Sequence, residues 1–329
     1  MTLERKSDIT NAAEPAREEE LLASKVTHAP AHKTHRKLKI VLMAVLAVIV
    51  AGAIGFGVYA SDYYHADDTA LAAMESTDTV AVQQLEDGDI AFVPGNPRAG
   101  IVFYPGGKVQ AEAYAPLMQD LADRGFLCVI VPMPFNLAVL DANGADGMQE
   151  QLPAVRRWIL MVHSLGGVMA AGYLDGHAQS WDGLVLLGAY STADLSDDGV
   201  TVLSITGDSD GVLNRRAAAD NEGNLGEDVR ELVIPGGNHA QFGSYGPQDG
   251  DGETTSEKLA MLKKADAMTA DWASCSTTRL GGSRAASWPR SPESTTWCTT
   301  SRPSRRVLWR ERVMFLHLIE RYETFWFSV

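Results

Sequence analysis

The chain has 329 residues, with 28 Lys and Arg against 42 Asp and Glu, and its formal net charge is −14. Nucleic-acid binding requires a basic surface, so this balance argues against a nucleic-acid partner. Hydrophobic residues make up 45% of the chain, which is enough to build a large core in one or two domains. The three cysteines are too few, and odd in number, to define a disulfide framework.

An apolar run without charged residues occupies residues 40–60 and is long enough to cross a bilayer as a helix. Basic residues, among them Arg36 and Lys37, precede it, and acidic residues follow it. Because positive charge stays in the cytosol, this pattern predicts a single-pass signal anchor in the cell membrane, with the N-terminus cytoplasmic and the remainder extracytoplasmic. A cleaved signal peptide ending near residues 58–60 is the alternative, although the run is longer than an ordinary signal-peptide core.

Composition divides the rest of the chain. Residues 1–39 are polar and of mixed charge, which is typical of a disordered cytosolic tail. Residues 61–78 are predicted to be a linker, and residues 79–272 a globular domain.

Residues 273–329 contain no Asp or Lys and are rich in Arg, Ser, Thr and Trp. This abrupt change favours an atypical basic tail created by a reading-frame change, and the alternative is a genuine tail that contacts anionic polymer or lipid.

The globular domain alternates short apolar runs with amphipathic ones. A hairpin is predicted from Thr79–Gln83 and Ile90–Val93. The other predicted strands are Gly100–Tyr104, Phe126–Val131, Trp158–Val162, Leu184–Leu187, Val202–Thr206 and Val229–Ile234, and the predicted helices are Ala111–Arg124, Met148–Arg156, Leu165–Tyr173 and Ala217–Asn221. Apolar strands alternating with helices predict an α/β fold with a mostly parallel sheet and helices on both faces, after one transmembrane helix. The active site of such a sheet lies at the carboxyl ends of its strands.

Ser164 lies between a predicted strand and the helix that starts at Leu165. A sharp strand-to-helix turn exposes the serine oxygen and points the Leu165 N–H toward a developing oxyanion. The helix N-terminus adds positive potential at this point. Taken alone, a serine before Leu-Gly-Gly is also typical of an ordinary turn. To act as a nucleophile, a serine hydroxyl needs a base and a group that orients this base.

Residues that follow other strands supply the missing groups. Asp210 is predicted to orient the general base, with Asp208 as the alternative, and His239 is predicted to be that base. Gly106 and Gly107 would provide further N–H groups for an oxyanion hole. Each residue alone is more typical of an ordinary turn or loop, but the order Ser, Asp, His is that of α/β-hydrolases and differs from the chymotrypsin and subtilisin orders.

Five segments resemble the α/β-hydrolase superfamily, and in particular small membrane-anchored bacterial hydrolases without a large lid. These segments are Tyr104–Val109, Pro132–Leu140, His163–Gly167, Gly207–Gly211 and Gly237–Gly243. The resemblance covers about residues 79–272 and implies an α/β-hydrolase fold with a serine triad. The superfamily usually has glycine two residues before the serine, where this chain has Val162. A side chain at that position is expected to loosen the turn and lower efficiency.

These features together predict a membrane-anchored, extracytoplasmic serine hydrolase that resembles a carboxylesterase. Its substrate is expected to be a small-molecule ester, and residues 40–60 are expected to bind the bilayer. The triad chemistry needs no metal and no organic cofactor. Two other functions stay open. A catalytically impaired binding or scaffold protein on the same fold is motivated by Val162, and a peptidase would use the same catalytic residues.

Overall fold

The computed structural model describes residues 32–226, 228–254, 263, 265–267 and 269–273. The predicted basic tail therefore lies outside the described residues, apart from Ala273, and so do residues 1–31 of the predicted cytosolic tail. The chain divides into two units, Met1–Asp62 and Tyr63–Val329.

The first unit contains one long helix, α1 (His32–Ser61). Its segment Arg36–Ser61 has a mean hydropathy of 2.7 and is long and apolar enough to cross a membrane. The helix begins within the stretch predicted to be a disordered tail, eight residues before the apolar run. Lys and Arg are good helix formers, so the basic residues before the run extend the helix rather than stop it.

The second unit is built on one sheet, which has eight strands within the described residues, in the order β1-β2-β4-β3-β5-β6-β7-β8. The strands are β1 (Val80–Gln84), β2 (Ile90–Pro94), β3 (Ala99–Tyr104), β4 (Phe126–Ile130), β5 (Trp158–His163), β6 (Gly183–Leu187), β7 (Thr201–Gly207) and β8 (Val229–Ile234). Strand β2 pairs antiparallel with β1 and β4, and the remaining pairs are parallel. The predicted α/β fold with a mostly parallel sheet is confirmed.

Helices connect the strands and cover the sheet. They are α2 (Asp68–Ala72), α3 (Ala115–Asp123), α4 (Met148–Gln151), α5 (Gly166–His177) and α6 (Arg215–Asp220). The helix predicted at Met148–Arg156 ends at Gln151 instead. Pro153 explains this early stop, because the residue before a proline disfavours the helical conformation.

The core lies on both faces of the central strands. Every residue of β3, β4, β5 and β6 is buried, whereas most of the edge strand β8 is partly or fully exposed. Alternate residues of β5 point to opposite faces, so Ile159 and Met161 pack with the α3 side while Leu160 and Val162 pack with the α5 side. Two apolar layers therefore hold the middle of the sheet rigidly between helices.

The stretch at residues 61–78, predicted to be a linker, is largely part of the folded domain. The Tyr64 N–H donates to the Lys108 carbonyl at 2.7 Å, and the Asp67 N–H donates to the Ser244 carbonyl at 2.8 Å. The Asp67 side chain also caps α2. Hydrogen bonds to residues distant in sequence leave no periodic pattern, and so the sequence alone did not reveal this docking.

Candidate active site

Ser164 occupies a sharp turn at the carboxyl end of β5. It follows His163, the last strand residue, and comes two residues before Gly166, where α5 begins. Its φ angle is 53°, a left-handed conformation that non-glycine residues adopt rarely. Its N–H donates to the carbonyl of Leu187 on the neighbouring strand at 3.1 Å. The turn therefore lifts the serine side chain out of the sheet at the edge where parallel-sheet active sites lie.

Small residues allow α5 to lie close against this turn. A Cβ at Gly166 would approach the carbonyl oxygens of Tyr104 and Pro105 to 2.9 and 3.0 Å, which is too close for a side chain. Val162 is fully buried on the face that packs with α5. Val162 was expected to loosen the turn, yet Ser164 keeps its left-handed conformation above it.

Asp210 and His239 form a buried pair. His239 Nδ1 lies 2.8 Å from Asp210 Oδ2, and both side chains are almost completely buried. The other carboxylate oxygen accepts the N–H groups of Val212 and Leu213 at 2.9 and 2.8 Å. Burial raises the pKa of Asp210, but the hydrogen bond and charge of His239, together with the two N–H groups, outweigh it and hold this pKa below its usual value. Asp210 is thus an anion oriented toward His239.

Asp208, the alternative to Asp210, has a different partner. Its Oδ1 accepts the N–H of Gly236 at 2.7 Å, which fixes the turn after β8. The Arg215 guanidinium donates to the carbonyls of Gly207 and Asp210 at 2.9 and 3.2 Å. The structure therefore brings Asp210 to His239 and uses Asp208 to join the two loops.

Asp251 is a site residue that the sequence interpretation missed. Its Oδ1 accepts the N–H groups of His239 and Gly211, each at 3.1 Å, and its Oδ2 accepts the N–H of Ala240 at 2.8 Å. One carboxylate thereby ties the loop of His239 to the loop of Asp210. The only signal in the sequence is an aspartate between two glycines, which is typical of any turn.

The two glycines after β3 have different surroundings. The Gly106 N–H donates to the hydroxyl oxygen of Tyr114 at 3.0 Å. Within the described part of the chain, the N–H groups of Gly107 and Leu165 have no hydrogen-bond partner. A Cβ at Gly107 would lie 2.7 Å from Leu165 Cδ2, so the two residues are neighbours beside Ser164. Gly107 and Leu165, rather than Gly106, present unused donors for an oxyanion.

His239 also lies beside the turn that carries Ser164. Its ring centroid is 4.5 Å from that of His163, and a Cβ at Gly188, which follows Leu187, would lie 2.9 Å from His239 Nδ1. His239 Nε2 is buried without a hydrogen-bond partner among the described residues, so it is not bonded to the Ser164 hydroxyl. In unliganded enzymes this bond is often long and tightens only around substrate.

Two further features of the surroundings are the possible metal ligands and a nearby cleft. Among the described residues, no group of three or more His, Cys, Asp or Glu side chains could hold a metal ion. A cleft of about 220 Å³ lies beside the Asp210 loop and is lined by Leu213, Arg215 and parts of β7 and β8. Ser164 does not line this cleft.

A family model described as the alpha/beta hydrolase family matches residues 100–263. The match spans the turn at Ser164 and both loops with the Asp210–His239 pair. The chain belongs to the α/β-hydrolase superfamily. A comparison of this α/β-hydrolase with curated proteins gives no match.

Three solved structures similar to this α/β-hydrolase are distant from it in sequence. TT1662 from Thermus thermophilus has 16% identity and a TM-score of 0.46, over 59% of this chain and 98% of that protein. A CIB-like hydrolase from Thermoplasma acidophilum has 14% identity and a TM-score of 0.44, over 58% and 99%. The sugar hydrolase YeeB from Lactococcus lactis has 12% identity and a TM-score of 0.47, over 61% and 100%.

Proposed function

We propose that this α/β-hydrolase is a membrane-anchored serine hydrolase that cleaves carboxylic esters of small molecules outside the cytoplasm. The observation that carries the proposal is the left-handed turn of Ser164 at the end of β5, next to a buried Asp210–His239 pair. A strained backbone position beside an oriented imidazole is the arrangement that an activated serine requires.

The reaction is acyl transfer to water. Ser164 Oγ attacks the ester carbonyl while His239 Nε2 takes its proton, and Asp210 holds the imidazolium through Nδ1. The N–H groups of Leu165 and Gly107 stabilise the oxyanion of the tetrahedral intermediate. The intermediate collapses as His239 returns the proton to the leaving alcohol. Water then attacks the acyl-serine with the same base, which regenerates free Ser164 and releases the acid.

Two features support the substrate class and the location. Residues 188–200, between β6 and β7, contain no helix, so this connection supplies no lid over the site. An open site favours small or surface-accessible esters. The apolar segment Arg36–Ser61, with basic residues at its start, supports a signal anchor that leaves the hydrolase unit extracytoplasmic.

A membrane-impermeant fluorophosphonate probe on intact cells tests both the chemistry and the location. We expect the full-length protein to be labelled and Ser164→Ala to remain unlabelled. Ser209→Ala is the matched control, because Ser209 lies at the same edge of the sheet without a role in the reaction, and it should label like the wild type. A series of p-nitrophenyl esters then defines the acyl preference.

Other outcomes would contradict the proposal. A correctly folded wild type that is not labelled in lysed cells indicates a binding or scaffold protein. Labelling only after lysis would contradict the extracytoplasmic location. Turnover of amides at a rate comparable with esters would identify a peptidase instead.

A further inference from the structure

His163 is a buried titratable residue that the proposed reaction leaves without a role. It ends β5, directly before Ser164, and is completely buried. Its Nδ1 lies 2.8 Å from the hydroxyl oxygen of Tyr114. Its ring lies against the ring of His239, with centroids 4.5 Å apart and planes inclined by 39°. One imidazole thus contacts both the proposed general base and a residue that supports the oxyanion loop.

The hydrogen bonds around Tyr114 define the tautomer of His163. The Tyr114 hydroxyl oxygen accepts the N–H of Gly106, and its single hydrogen is then available to His163 Nδ1. Nδ1 is therefore an acceptor, and the ring carries its hydrogen on Nε2. A Cβ at Gly106 would lie 2.7 Å from His163 Nδ1 and 2.8 Å from the Tyr114 hydroxyl, so any other residue would break this chain of contacts.

The surroundings keep His163 uncharged. Burial lowers its pKa well below the usual value and the charge of His239 lowers this pKa further, while an interaction with the His239 backbone opposes them only in part. Tyr114 is another titratable group that faces it. Asp210 lies behind His239, and Tyr245 lies behind Tyr114. Burial raises the pKa of both tyrosines, which stay neutral.

A neutral aromatic ring next to a base has a definite effect on that base. When His239 takes the serine proton, it becomes a cation within 6 Å of the His163 ring, a distance at which aromatic faces attract cations. The same packing limits rotation of the His239 ring and so keeps this ring oriented toward Asp210. Both effects favour the protonated, correctly oriented base in the transition state.

We infer that His163 is a positioning residue that holds His239 and stabilises its charged form, and that Tyr114 couples this residue to the Gly106–Gly107 loop. The inference rests on the proposed serine-hydrolase function. His163 touches no reacting atom and acts entirely through His239.

Two substitutions at His163 separate its two contacts. His163→Asn keeps an acceptor for Tyr114 but removes the ring, and His163→Phe keeps a ring but removes the acceptor. In His163→Asn we expect kcat to fall about tenfold at nearly constant KM. The acid limb of the kcat/KM profile should move to lower pH by about half a unit or more, because the imidazolium loses its aromatic neighbour. His163→Phe should keep the acid limb of the wild type.

A pair of tyrosine variants provides the control. Tyr114→Phe removes the hydroxyl that joins Gly106 to His163 and should lower kcat. Tyr104→Phe removes an equally buried hydroxyl, bonded to Ala142 and Ala145, and should keep the wild-type kcat. Thermal unfolding of both variants shows whether they lose similar stability.

The outcomes separate the inference from the proposed function. Suppose that fluorophosphonate labels Ser164 in the wild type and in the variants. If His163→Asn then keeps the acid limb of the wild type and loses only thermal stability, His163 has a purely structural role and the inference is wrong. Equal kcat losses in Tyr114→Phe and Tyr104→Phe would also overturn it. Absence of Ser164 labelling in the folded wild type would instead reject the serine-hydrolase function itself.

Discussion

The two halves of the candidate site are held in place by different forces. Ser164 follows the central strand β5, where every residue is buried, and its turn is bounded by close contacts at Gly166. Asp210 and His239 follow β7 and the partly exposed edge strand β8, and side-chain hydrogen bonds to Asp251 and Asp208 hold their loops. The position of Ser164 is therefore set by packing, and that of His239 by a polar network.

The largest expected effect concerns the orientation of the base. Asp210→Asn keeps the shape of the side chain but removes the charge that stabilises the His239 imidazolium, so kcat should fall by about a thousandfold or more. Asp208→Asn is the matched control, since an amide oxygen can still accept the Gly236 N–H, and its kcat should stay close to wild type. Steady-state ester hydrolysis measures both, and equal losses would refute the assignment of Asp210.

A smaller loss is expected when the network loses one carboxylate. Asp251→Ala leaves the N–H groups of His239, Gly211 and Ala240 without their acceptor, and the displaced base should lower kcat by roughly 10- to 100-fold. Asp249→Ala makes the same change of charge two residues away at an exposed position. Single-turnover kinetics and thermal unfolding distinguish a displaced loop from a general loss of fold. An unaltered rate in Asp251→Ala would mean that the polar network does not set the position of the base.

The smallest effect is expected in stability, on the packed half. Gly166→Ala should destabilise the protein by about 1–3 kcal/mol, because the new Cβ meets the backbone carbonyls of Tyr104 and Pro105. Gly172→Ala, in the same helix with open space around it, should stabilise by about 0.5–1 kcal/mol. Urea unfolding measures both values. If both variants gain stability, close packing at the turn is not what positions α5.

The sequence predicted most of the packed half of the molecule. The predicted strand Trp158–Val162 is one residue shorter than β5, and Ser164 falls between a strand and a helix as expected. These features depend on apolar periodicity and on local turn residues, which can be read from neighbouring positions. The helix at Met148–Gln151 is shorter than predicted, because Pro153 ends it despite the apolar periodicity of the following residues.

The polar half was predicted only in outline. The order of Ser164, Asp210 and His239 could be read from the chain, but Asp251 could not, because its contacts reach residues 11 to 40 positions away. The same holds for Gly106, whose N–H was expected in the oxyanion hole and donates instead to a tyrosine eight residues later. Hydrogen bonds between loops have no sequence period, and only the folded arrangement identifies them.

The single carboxylate of Asp251 has a consequence for how the site opens. Because it binds N–H groups from both loops, a movement of His239 that carries Asp251 with it also breaks the bond to Gly211 beside Asp210. The loops of Asp210 and His239 are then expected to move as one cooperative unit, so that changes in the two loops are not independent in free energy. The Asp210–His239 pair is accordingly expected to form or separate as a whole, whereas the turn at Ser164 depends on the packing of the core.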